Sequence, residues 1–563
     1  MQWKLITDKK KKETKTVDDI INILLENRGL KTDKEKNDFF NPIDPEKITL
    51  KQFGIDPKEI NKTVKRILAA VKDNEKIVIY GDYDTDGICA TAILWEEIYS
   101  LTKNVIPHIP NRFTEGYGLN PESIKRLKKD IPQLKLIITV DNGIVASDAV
   151  VAANKLGVDV IITDHHQKGK TIPKAFSIIH STEIGGAGVA WILSREISKN
   201  IASKNKSVAG GLELAAVGTI ADQIPLLGVN RSLVKYGLIE LNNTKRPGLQ
   251  ELFREAALEK DGGRFNIGTY EVGFVIAPRL NAMGRLEHAL DSLRILCTNN
   301  RQKAKTLAQL LGKTNLRRQR IVEEVVAHAK ELAVSRQWKG VIVLSHSSYH
   351  EGVIGLAAAK LVEEFWRPAI VISQGKKTSK ASARSISGFN IIENIRKLES
   401  LIVGGGGHPM AAGFSIETLK ITEFTKSLEE ISSPLLTSEI LERKLKVDCE
   451  LEFDQIGNEL LKKIENFEPT GLGNSTPTFV IKSVGVSDAR GVGNEGKHLK
   501  LKLQSGDMVI DGIAFGLGKK LPLLKSGKKI DVVFTLVKNI WNGNESLQLK
   551  IKDLKVEVSK FKV

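Results

Sequence analysis

The stretch Lys76–Gly87, KIVIYGDYDTDG, joins an apolar run to three carboxylates at alternate positions, Asp82, Asp84 and Asp86. The apolar run predicts a buried β-strand. Because alternate side chains of an extended backbone share a face, we expect the three aspartates to crowd together. Like charges this close raise each other's pKa, which indicates a divalent-cation site. The alternative is a polar turn that only begins the next helix, with Asp86 near its N-cap.

The region around this stretch, residues 70–225, alternates short apolar runs with helical patterns. The runs KIVIYG, NVIPHIP, LKLIITV and VDVIIT are rich in Ile and Val. Near-continuous apolar strands between helices are typical of a parallel sheet that is buried on both faces. We therefore predict a doubly wound parallel-sheet α/β domain at residues 70–225, preceded by an N-terminal extension at residues 1–69.

The rest of the chain divides into three regions. Residues 226–338 are predicted to be helical and to end in a long helix from Arg301 to about Arg336, which could connect two halves of the molecule or equally pack inside one domain. Residues 339–436 carry the strand patterns GVIVLS, PAIVIS and SKASARSI and then a glycine-rich loop, GGGGH, which together predict a smaller α/β domain. Residues 437–563 alternate apolar and polar positions, as in LQLKIK, which is typical of a β-barrel such as an OB-fold.

The charge balance indicates the kind of partner. Lys and Arg number 84 against 67 Asp and Glu, which gives a formal net charge of +17. A strongly basic chain favours a polyanion, and nucleic acid is the first candidate. A basic barrel face suits single-stranded nucleic acid, although its lysines could equally serve only solubility.

The features that the sequence lacks indicate the cellular compartment of the protein. It has no apolar run of about 18 residues, and its N-terminal stretch MQWKLITDKKKKETK does not match a signal peptide. The three cysteines are scattered, which argues against a zinc site or a disulfide framework. We therefore expect a cytoplasmic protein with no membrane segment.

Two further strand ends carry polar side chains. LIITVDNG places Asp141 after one predicted strand, and VIITDHHQ places Asp164, His165 and His166 after another. Ligands of open parallel sheets bind outside the carboxyl ends of the strands. A lone Asp there is usually a helix cap, but together these residues favour a metal site. Oxygen and imidazole ligands without a thiolate suit Mn²⁺ or Mg²⁺, and their number suits two cations, as in phosphoester hydrolysis.

The motifs D-x-D-x-D-G, T-V-D-N-G and D-H-H, in this order, resemble the DHH phosphoesterase family. TIADQIPL adds a further acidic element, Asp222, and GGGGHPMAAG resembles the signature of that family's companion DHHA1 domain. NRFTEGYGLN, APRLNAMGR, HEGVIGLAAAKL, ASARSI and EPTGLGNSTPTF resemble segments of the family's single-strand-specific 5′→3′ DNA exonucleases, whose C-terminal barrel has a counterpart here. The resemblance covers nearly the whole chain after the first sixty or so residues.

The resemblance implies a set of metal ligands. Asp82 and Asp84 would hold one cation. The second cation would be held by Asp86, His165 and Asp222. Asp141 would bridge the two. His166 would lie near the scissile phosphate as an electrostatic group, and Asp164 would orient the histidine pair.

It also implies substrate-binding residues. Arg279 would contact the phosphate under attack, and His408 would face the substrate from the second domain. The 5′-terminal phosphate would bind a pocket of Arg112, Ser382 and Arg384. Several of these candidates have simpler alternatives: Arg279 and Arg285 could be salt-bridge partners, His350 could only cap a helix, and Phe113 and Tyr117, candidates for base stacking, could be packed beneath their loop.

The activity that the resemblance implies is a two-metal exonuclease that degrades single-stranded DNA 5′→3′ to 5′-mononucleotides in recombination and repair. Implied partners are single-stranded DNA, a single-strand-binding protein and a DNA helicase, with the protein itself a monomer. Alternatives are an oligoribonuclease or nucleotide phosphatase of the same fold, a non-catalytic replication scaffold, and RNA as the main substrate.

Overall fold

The computed structural model of the protein describes residues 1–6, 16–116, 118–201, 210–260, 262–335, 338–524, 527–541 and 544–556. The chain forms two compact units. One unit contains residues 1–43, 225–235 and 444–563, and the other contains residues 44–224 and 236–443. Within the described residues, no helix combines the length and the apolar character needed to cross a membrane.

The chain begins with a short strand and three helices, β1 (Gln2–Leu5), α1 (Val17–Glu26), α2 (Asp33–Phe40) and α3 (Pro57–Lys72). The first sheet follows and consists of β2 (Lys76–Tyr80), β3 (Val105–His108), β4 (Leu134–Val140), β5 (Asp159–Asp164) and β6 (Ser177–His180). Its helices are α4 (Thr85–Leu101), α5 (Pro121–Asp130), α6 (Ser147–Lys155), α7 (Gly186–Asn200) and α8 (Leu212–Ala221).

All pairs in this sheet are parallel, in the order β3-β2-β4-β5-β6. Val78 and Tyr80 pack under α5 and α6 on one face, whereas α4 and α7 pack on the other. The predicted doubly wound domain is confirmed. The strand order reverses between β2 and β4, and such a switch point is where open sheets bind ligands. Asp82 follows β2 and Asp141 follows β4, so both lie at this point.

A helical region follows the sheet. It comprises α9 (Gly228–Asn242), α10 (Pro247–Glu255), the hairpin strands β7 (Glu259–Lys260) and β8 (Arg264–Phe265), α11 (Thr269–Glu271), a π-helical turn (Val272–Ile276), α12 (Ala277–Leu286), α13 (Leu290–Cys297) and α14 (Arg301–Ser335). Helix α14 is the predicted long connecting helix. It packs on α10, α12 and α13, so it is part of the same unit rather than an isolated linker.

The second sheet belongs to the predicted smaller α/β domain. Its elements are β9 (Ile342–His346), α15 (Ile354–Phe365), β10 (Ala369–Ser373), β11 (Thr378–Arg384), α16 (Ile391–Arg396), β12 (Ile402–His408), β13 (Ala411–Glu417), α17 (Ile421–Ser432) and α18 (Ser438–Leu441). The strand order is β12-β13-β11-β10-β9. Only the β9–β10 pair is parallel.

The prediction that the GGGGH stretch is a loop is wrong, because it forms most of the edge strand β12. The glycines permit an unusually close strand pair. A Cβ at Gly405 would lie 2.4 Å from the Cβ of Phe414, and a Cβ at Gly407 would lie 2.4 Å from the carbonyl oxygen of Ala411. Glycine is therefore required here by close backbone approach, and it leaves no apolar pattern from which a strand could be predicted.

The C-terminal region contains β14 (Lys444–Val447), β15 (Cys449–Glu450), α19 (Asn458–Glu465), β16 (Phe479–Val492), β17 (His498–Ser505), β18 (Met508–Ala514), β19 (Lys529–Trp541) and β20 (Asn544–Val556). Strands β16, β17, β18, β20 and β19 close into a barrel, because β19 also pairs with β16. This confirms the predicted barrel. Leu549 and Ile551 are buried inside it and Lys550 is exposed, as the alternation predicts.

Residues 1–6 and 16–43 fold together with this barrel. Ile20 and Leu24 of α1 and Phe39 of α2 share one buried core with Phe467 and Phe534. Strand β1 pairs in parallel with β14. The sequence predicts a separate extension here, because contacts between segments so far apart in the chain leave no local pattern.

Arg231 joins the three segments of this unit. The side chain is 1% exposed, and its guanidinium donates to the carbonyl oxygens of Phe39, Asn466, Phe467, Glu468 and Pro469 at 2.6–3.2 Å. It also lies 3.9 Å from the centre of the Phe39 ring. Burial, and then the nearby Arg28, lower the pKa of Arg231 to about 10. One buried cation thus binds the carbonyls of residues 466–469, which include the start of the EPTGLGN stretch, and that of Phe39.

We expect Arg231→Met to destabilise the barrel unit by at least about 3 kcal/mol, because buried carbonyls left without a donor each cost about 1–3 kcal/mol. Native-state hydrogen exchange of the barrel strands measures this loss. Arg490→Met, at an exposed position on β16, is the matched control and should change exchange little. Equal protection in both variants would show that the carbonyl contacts do not stabilise the unit.

Candidate metal centre and anion pocket

The acidic loop turns directly from strand β2 into helix α4. Asp84 is the N-cap of α4, and its Oδ1 accepts from the Gly87 amide at 3.0 Å. Asp86 lies in the first turn of the helix. The expectation that the three aspartates share a face of an extended strand is therefore wrong, since the strand ends at Tyr80. The turn from strand to helix brings the carboxylates together instead.

Asp86 is held by the start of helix α7. Its two carboxylate oxygens accept from the backbone amides of Gly186 at 2.7 Å and Ala187 at 2.9 Å. A Cβ at Gly218 would lie 2.3 Å from Oδ1 of Asp86, so glycine allows α8 to approach the carboxylate. Burial, and then the neighbouring Asp84, raise the pKa of Asp86 to about 7. The helix amides offset only part of this cost.

Asp141 lies at the end of β4 in a left-handed backbone conformation, with φ of 62°. Such a conformation is uncommon outside glycine and concentrates at functional sites. The side chain is buried, and its Oδ1 has no hydrogen-bond partner. Burial, and then Asp86 and Asp84, raise the pKa of Asp141 well above its ordinary value. A buried carboxylate oxygen without a donor is a natural cation ligand.

The two histidines differ in their environment. His165 Nε2 lies 3.1 Å from Oδ1 of Asp141, 3.6 Å from Oδ2 of Asp222 and 3.9 Å from Oδ2 of Asp86. Burial, and then His166, lower the pKa of His165 to about 4, so its ring is neutral and able to bind a metal. Asp222 follows α8, and burial, then Asp86 and Asp84, raise the pKa of its carboxyl to about 8.

His166 pairs with Asp164. Its Nδ1 lies 2.8 Å from Oδ1 of Asp164, while Oδ2 of Asp164 accepts from the Ile144 amide at 2.9 Å. Burial alone would lower the pKa of His166, but the Asp164 hydrogen bond and charge, with Asp82 and Asp222, raise it to about 9. Asp164 also accepts from the backbone amides of both histidines, so it orients the pair.

These side chains form three overlapping groups whose ligand atoms lie within 4.8 Å of one another: Asp82, Asp84 and Asp141; Asp86, His165 and Asp222; Asp141, His165 and His166. The structure thus brings together all six predicted metal ligands. The donors are carboxylate oxygens and imidazole nitrogens, which suit Mn²⁺ or Mg²⁺. The unpartnered oxygen of Asp141 and the raised carboxyl pKa values also fit two cations. His166 also lies within the third of these groups, beside the candidate ligands.

Helix α12 supports the acidic loop, which explains the APRLNAMGR motif. The side-chain oxygen of Asn281 accepts from the Thr85 amide at 2.8 Å, and the Thr85 hydroxyl donates to the Ala277 carbonyl at 3.2 Å. A Cβ at Gly284 would lie 2.6 Å from the Tyr83 carbonyl oxygen. No role for Asn281 is predicted from the sequence, because an asparagine in a helix carries no signal of its distant partner.

Basic side chains converge on a cavity of about 390 Å³ near this loop. The cavity, here named the arginine cavity, is lined by Tyr83, Arg112, Arg285, Gly355, Ser382 and Arg384, among others. Predicted pocket residues Arg112, Ser382 and Arg384 are therefore brought together. Arg384 donates to the Ser382 hydroxyl at 3.2 Å, and a Cβ at Gly355, in the first turn of α15, would lie 3.1 Å from the Arg384 guanidinium.

Arg285 is a further residue of the arginine cavity, and its role is not predicted from the sequence. Its guanidinium donates to the Gly352 carbonyl at 3.5 Å, a long hydrogen bond. Burial, and then Arg112, Arg318 and Arg384, lower the pKa of Arg285 to about 10. Guanidinium groups this close repel one another, and a bound anion would relieve the repulsion. The clue in the sequence is its place in the APRLNAMGR motif.

Other predicted residues lie elsewhere. Arg279 donates to Glu255 at 2.7 Å and to the Val275 carbonyl at 2.9 Å. It is therefore a salt-bridge partner, which is the simpler alternative given for it above. His408 ends the exposed edge strand β12. Neither residue is in the metal-ligand groups or among the cavity-lining residues of the described chain. His350 Nδ1 accepts from the Gly352 amide at 3.0 Å, so it stabilises a turn.

The two candidates for base stacking have different outcomes. Phe113 lines the arginine cavity, and its ring meets the His350 ring edge-on at 5.9 Å. Tyr117 lies outside the described residues, so its proposed role stays a prediction.

Comparison with known proteins finds three domain families and similar solved structures. The DHH family, N-terminal domain, matches residues 76–219, the DHHA1 domain matches residues 339–433, and the RecJ OB domain matches residues 447–553. A crystal structure of RecJ from Thermus thermophilus in complex with Mn²⁺ superimposes with a TM-score of 0.82 at 27% identity, covering 98% of this chain and 79% of that chain.

Curated relatives agree with the domain matches. The single-stranded-DNA-specific exonuclease RecJ of Bacillus subtilis (strain 168) is 34% identical over 89% of this chain, which spans 64% of that longer protein. The protein of the same name from Escherichia coli (strain K12) is 32% identical over 88% of this chain and 90% of its own length. With this identity and these three domain matches, the chain belongs to the RecJ family of single-stranded-DNA-specific exonucleases.

Proposed function

We propose that the protein is a two-metal-ion exonuclease that removes mononucleotides from the 5′ end of single-stranded DNA. The observation that carries the proposal is the cluster of buried carboxylates and histidines at the switch point of the first sheet, within the same unit as the arginine cavity. The relatives described above are named for this substrate, which supports the choice of DNA.

Each metal-ligand group has a role in the proposal. Asp82 and Asp84 hold one cation, Asp86, His165 and Asp222 hold the other, and Asp141 contributes to both. Bound there, the two cations would activate the attacking water and neutralise charge on the phosphate. His166, kept cationic at neutral pH by Asp164, stabilises the phosphate oxygens. Arg279 and His408 are retained from the family resemblance as further phosphate contacts.

The arginine cavity supplies polarity. Two cations on either side of a phosphodiester do not by themselves distinguish the two strand directions, so an end must be recognised. A 5′-terminal phosphate carries more negative charge than an internal diester, and arginines bind it through paired hydrogen bonds. Arg112, Arg285 and Arg384, with Ser382, offer such donors. Binding the end there would present the terminal linkage for attack.

The barrel is proposed to bind the strand further along. On its surface, Phe515 is 56% exposed. His498 meets the Phe515 ring at 5.2 Å, and the Lys550 ammonium lies 5.8 Å from the same ring. Aromatic rings interleaved with cations are typical of surfaces that stack bases and track a phosphate backbone. This favours a nucleic-acid role over lysines that serve only solubility.

The alternatives are less well supported. A non-catalytic scaffold does not need a full set of converging ligands, and here all six are present. An oligoribonuclease or nucleotide phosphatase does not need a barrel. RNA as a substrate is tested by comparing matched DNA and RNA strands in the assay below. We further propose that the protein is a cytoplasmic monomer that works with a single-strand-binding protein and a helicase, and its three free cysteines suit a reducing compartment.

We expect Asp141→Asn to lower exonuclease activity on 5′-labelled single-stranded DNA by more than about 100-fold, because even outer-sphere partners of metal ligands are worth about 10–100-fold. Chelation of the metal should have the same effect on the unchanged protein. Single-strand binding should persist, since the barrel and the arginine cavity are intact. Asp148→Asn, on the exposed side of α6, is the control. Substantial activity of Asp141→Asn at saturating Mn²⁺ would refute the ligand assignment.

Metal binding should release protons. With pKa values of about 7 for Asp86 and about 8 for Asp222, both carboxyls are largely protonated at pH 6.5 and must ionise to bind a cation. Mn²⁺ affinity should therefore rise with pH up to about 8. Calorimetry at pH 6.5 in two buffers of different ionisation enthalpy should detect at least one released proton, and fewer with Asp222→Asn. Metal binding without proton release would contradict the raised pKa values.

Arg384→Ala should remove most of the preference for 5′-phosphorylated over 5′-hydroxyl single strands, because a charged hydrogen bond to the terminal phosphate is lost. The comparison is kcat/KM on both ends for both proteins. Arg396→Ala, at the exposed end of α16, should keep the preference. If the Arg384→Ala variant keeps it undiminished, the arginine cavity does not bind the strand end.

A further inference from the structure

Tyr270 and Phe274 form an exposed stacked pair that the proposed mechanism does not use. Tyr270 is 65% exposed and Phe274 is 72% exposed. Their ring centres lie 5.1 Å apart with an interplanar angle of 28°. The two rings cover one face of each other, so their other faces meet solvent. Large aromatic side chains are usually buried, and an exposed pair in a fixed arrangement indicates a binding role.

The pair lies on a helical segment that reaches the metal centre. Helix α11, the π-helical turn and α12 run without a break from Thr269 to Leu286. The segment begins with the Gly268 amide donating to the Glu271 carboxylate at 2.8 Å. Near its other end, Asn281 accepts from the Thr85 amide of the acidic loop. A π-helical turn inside a helix is frequent at functional sites.

The same segment also approaches the Asp222 side of the metal centre. A Cβ at Gly273 would lie 3.9 Å from Cγ2 of Ile220, which is two residues before Asp222. Phe274 and Asn281 are seven positions apart, which corresponds to about 10 Å along a helix. That length corresponds to a few nucleotides of a single strand. The pair is therefore within reach of the first few nucleotides of a strand whose end is at the metals.

The chemistry of the surface favours a nucleobase. Exposed aromatic faces such as these are the surfaces on which the bases of a single strand stack. The two rings together are about the size of one or two bases. A stable protein partner would bury about 800 Å² on each side, which is more surface than two rings offer.

We propose that Tyr270 and Phe274 form a base-stacking platform that holds single-stranded DNA a few nucleotides from the metal centre. The inference rests on the proposed function. The rings stack on bases of any sequence, because every base has a π-face. Such a platform would keep the DNA strand extended between the linkage that is cleaved and the parts of the protein that bind the strand further along.

The test replaces both rings by leucine, Tyr270→Leu with Phe274→Leu, which keeps apolar side chains but removes the aromatic faces. Substrates are 5′-phosphorylated oligothymidylates of two to twelve nucleotides with Mn²⁺. KM for strands of five or more nucleotides should rise about ten-fold, which corresponds to about 1.4 kcal/mol, with kcat unchanged. The dinucleotide is too short to reach the rings and should be cleaved as before.

Two further variants separate stacking from folding. Phe274→Trp with Tyr270 unchanged should keep the low KM, since tryptophan stacks at least as well. Leu419→Ala, at a position that is 96% exposed in the same unit, should behave like the unchanged protein. A KM for long strands that the double variant leaves unchanged would overturn the platform. An equal loss on the dinucleotide would also overturn it, because the rings would then be structural.

A single abasic position moved along the strand locates the platform independently of catalysis. Fluorescence anisotropy should show that the unchanged protein binds more weakly when the abasic position lies within about the first four nucleotides. For the double leucine variant, an abasic position in that range should not weaken binding further. A flat profile for the unchanged protein would overturn the platform. If the unchanged protein binds but does not cleave single strands, the proposed function fails, whereas the abasic profile still decides the platform.

Discussion

Buried like charge is the constraint that shapes the first domain. Asp86 and Asp141 are both 2% exposed, and Asp86 lies close enough to raise the pKa of Asp141. Their burial requires close backbone approach, because a Cβ at Gly186 would lie 2.4 Å from Oδ1 of Asp141. Helix α7 begins at this point, and its amides bind one of the two carboxylates. The strained backbone of Asp141 and the glycines at the helix starts are explained by the same charge cluster.

The arginine cavity is also a buried cluster of like charges, but its charges are positive. Arg285 and Arg384 have pKa values lowered by burial and by neighbouring arginines, whereas the pKa values of the Asp86, Asp141 and Asp222 carboxyls are raised. Each cluster is costly alone, and each is complementary to one part of a phosphorylated strand end. Cations would stabilise the first cluster and a terminal phosphate the second. The polar loop between them, with Tyr83 in contact with Arg112 at 5.2 Å, keeps the two charges separate.

Much of the fold could be predicted because local patterns decide it. Ile and Val runs such as LKLIITV specify strands buried on both faces, and the periodicity of residues 301–335 specifies a long helix. The glycine strand β12 could not be predicted, because backbone proximity and not apolar alternation requires its residues. Most of the candidate metal ligands could be identified since strand ends of a parallel sheet meet at one edge, whereas Asp222 follows helix α8 and is indicated only by the family resemblance. The roles of Asn281 and Arg285 depend on partners almost 200 and 70 residues away in the chain, which no local pattern records.

The barrel unit is assembled from chain segments that are far apart, and this has a consequence for its synthesis. The buried residues that share a core with helices α1 and α2 come from residues 444–563, and Leu227 also packs against that core. Residues 44–443 are made in between, which takes about 20–80 s at about 5–20 residues per second. During that time Ile20, Leu24 and Phe39 have no final place to be buried. The emerging chain therefore carries an unpaired apolar N-terminal segment until residues 444–563 have been made, which makes it a natural client for chaperones on the ribosome.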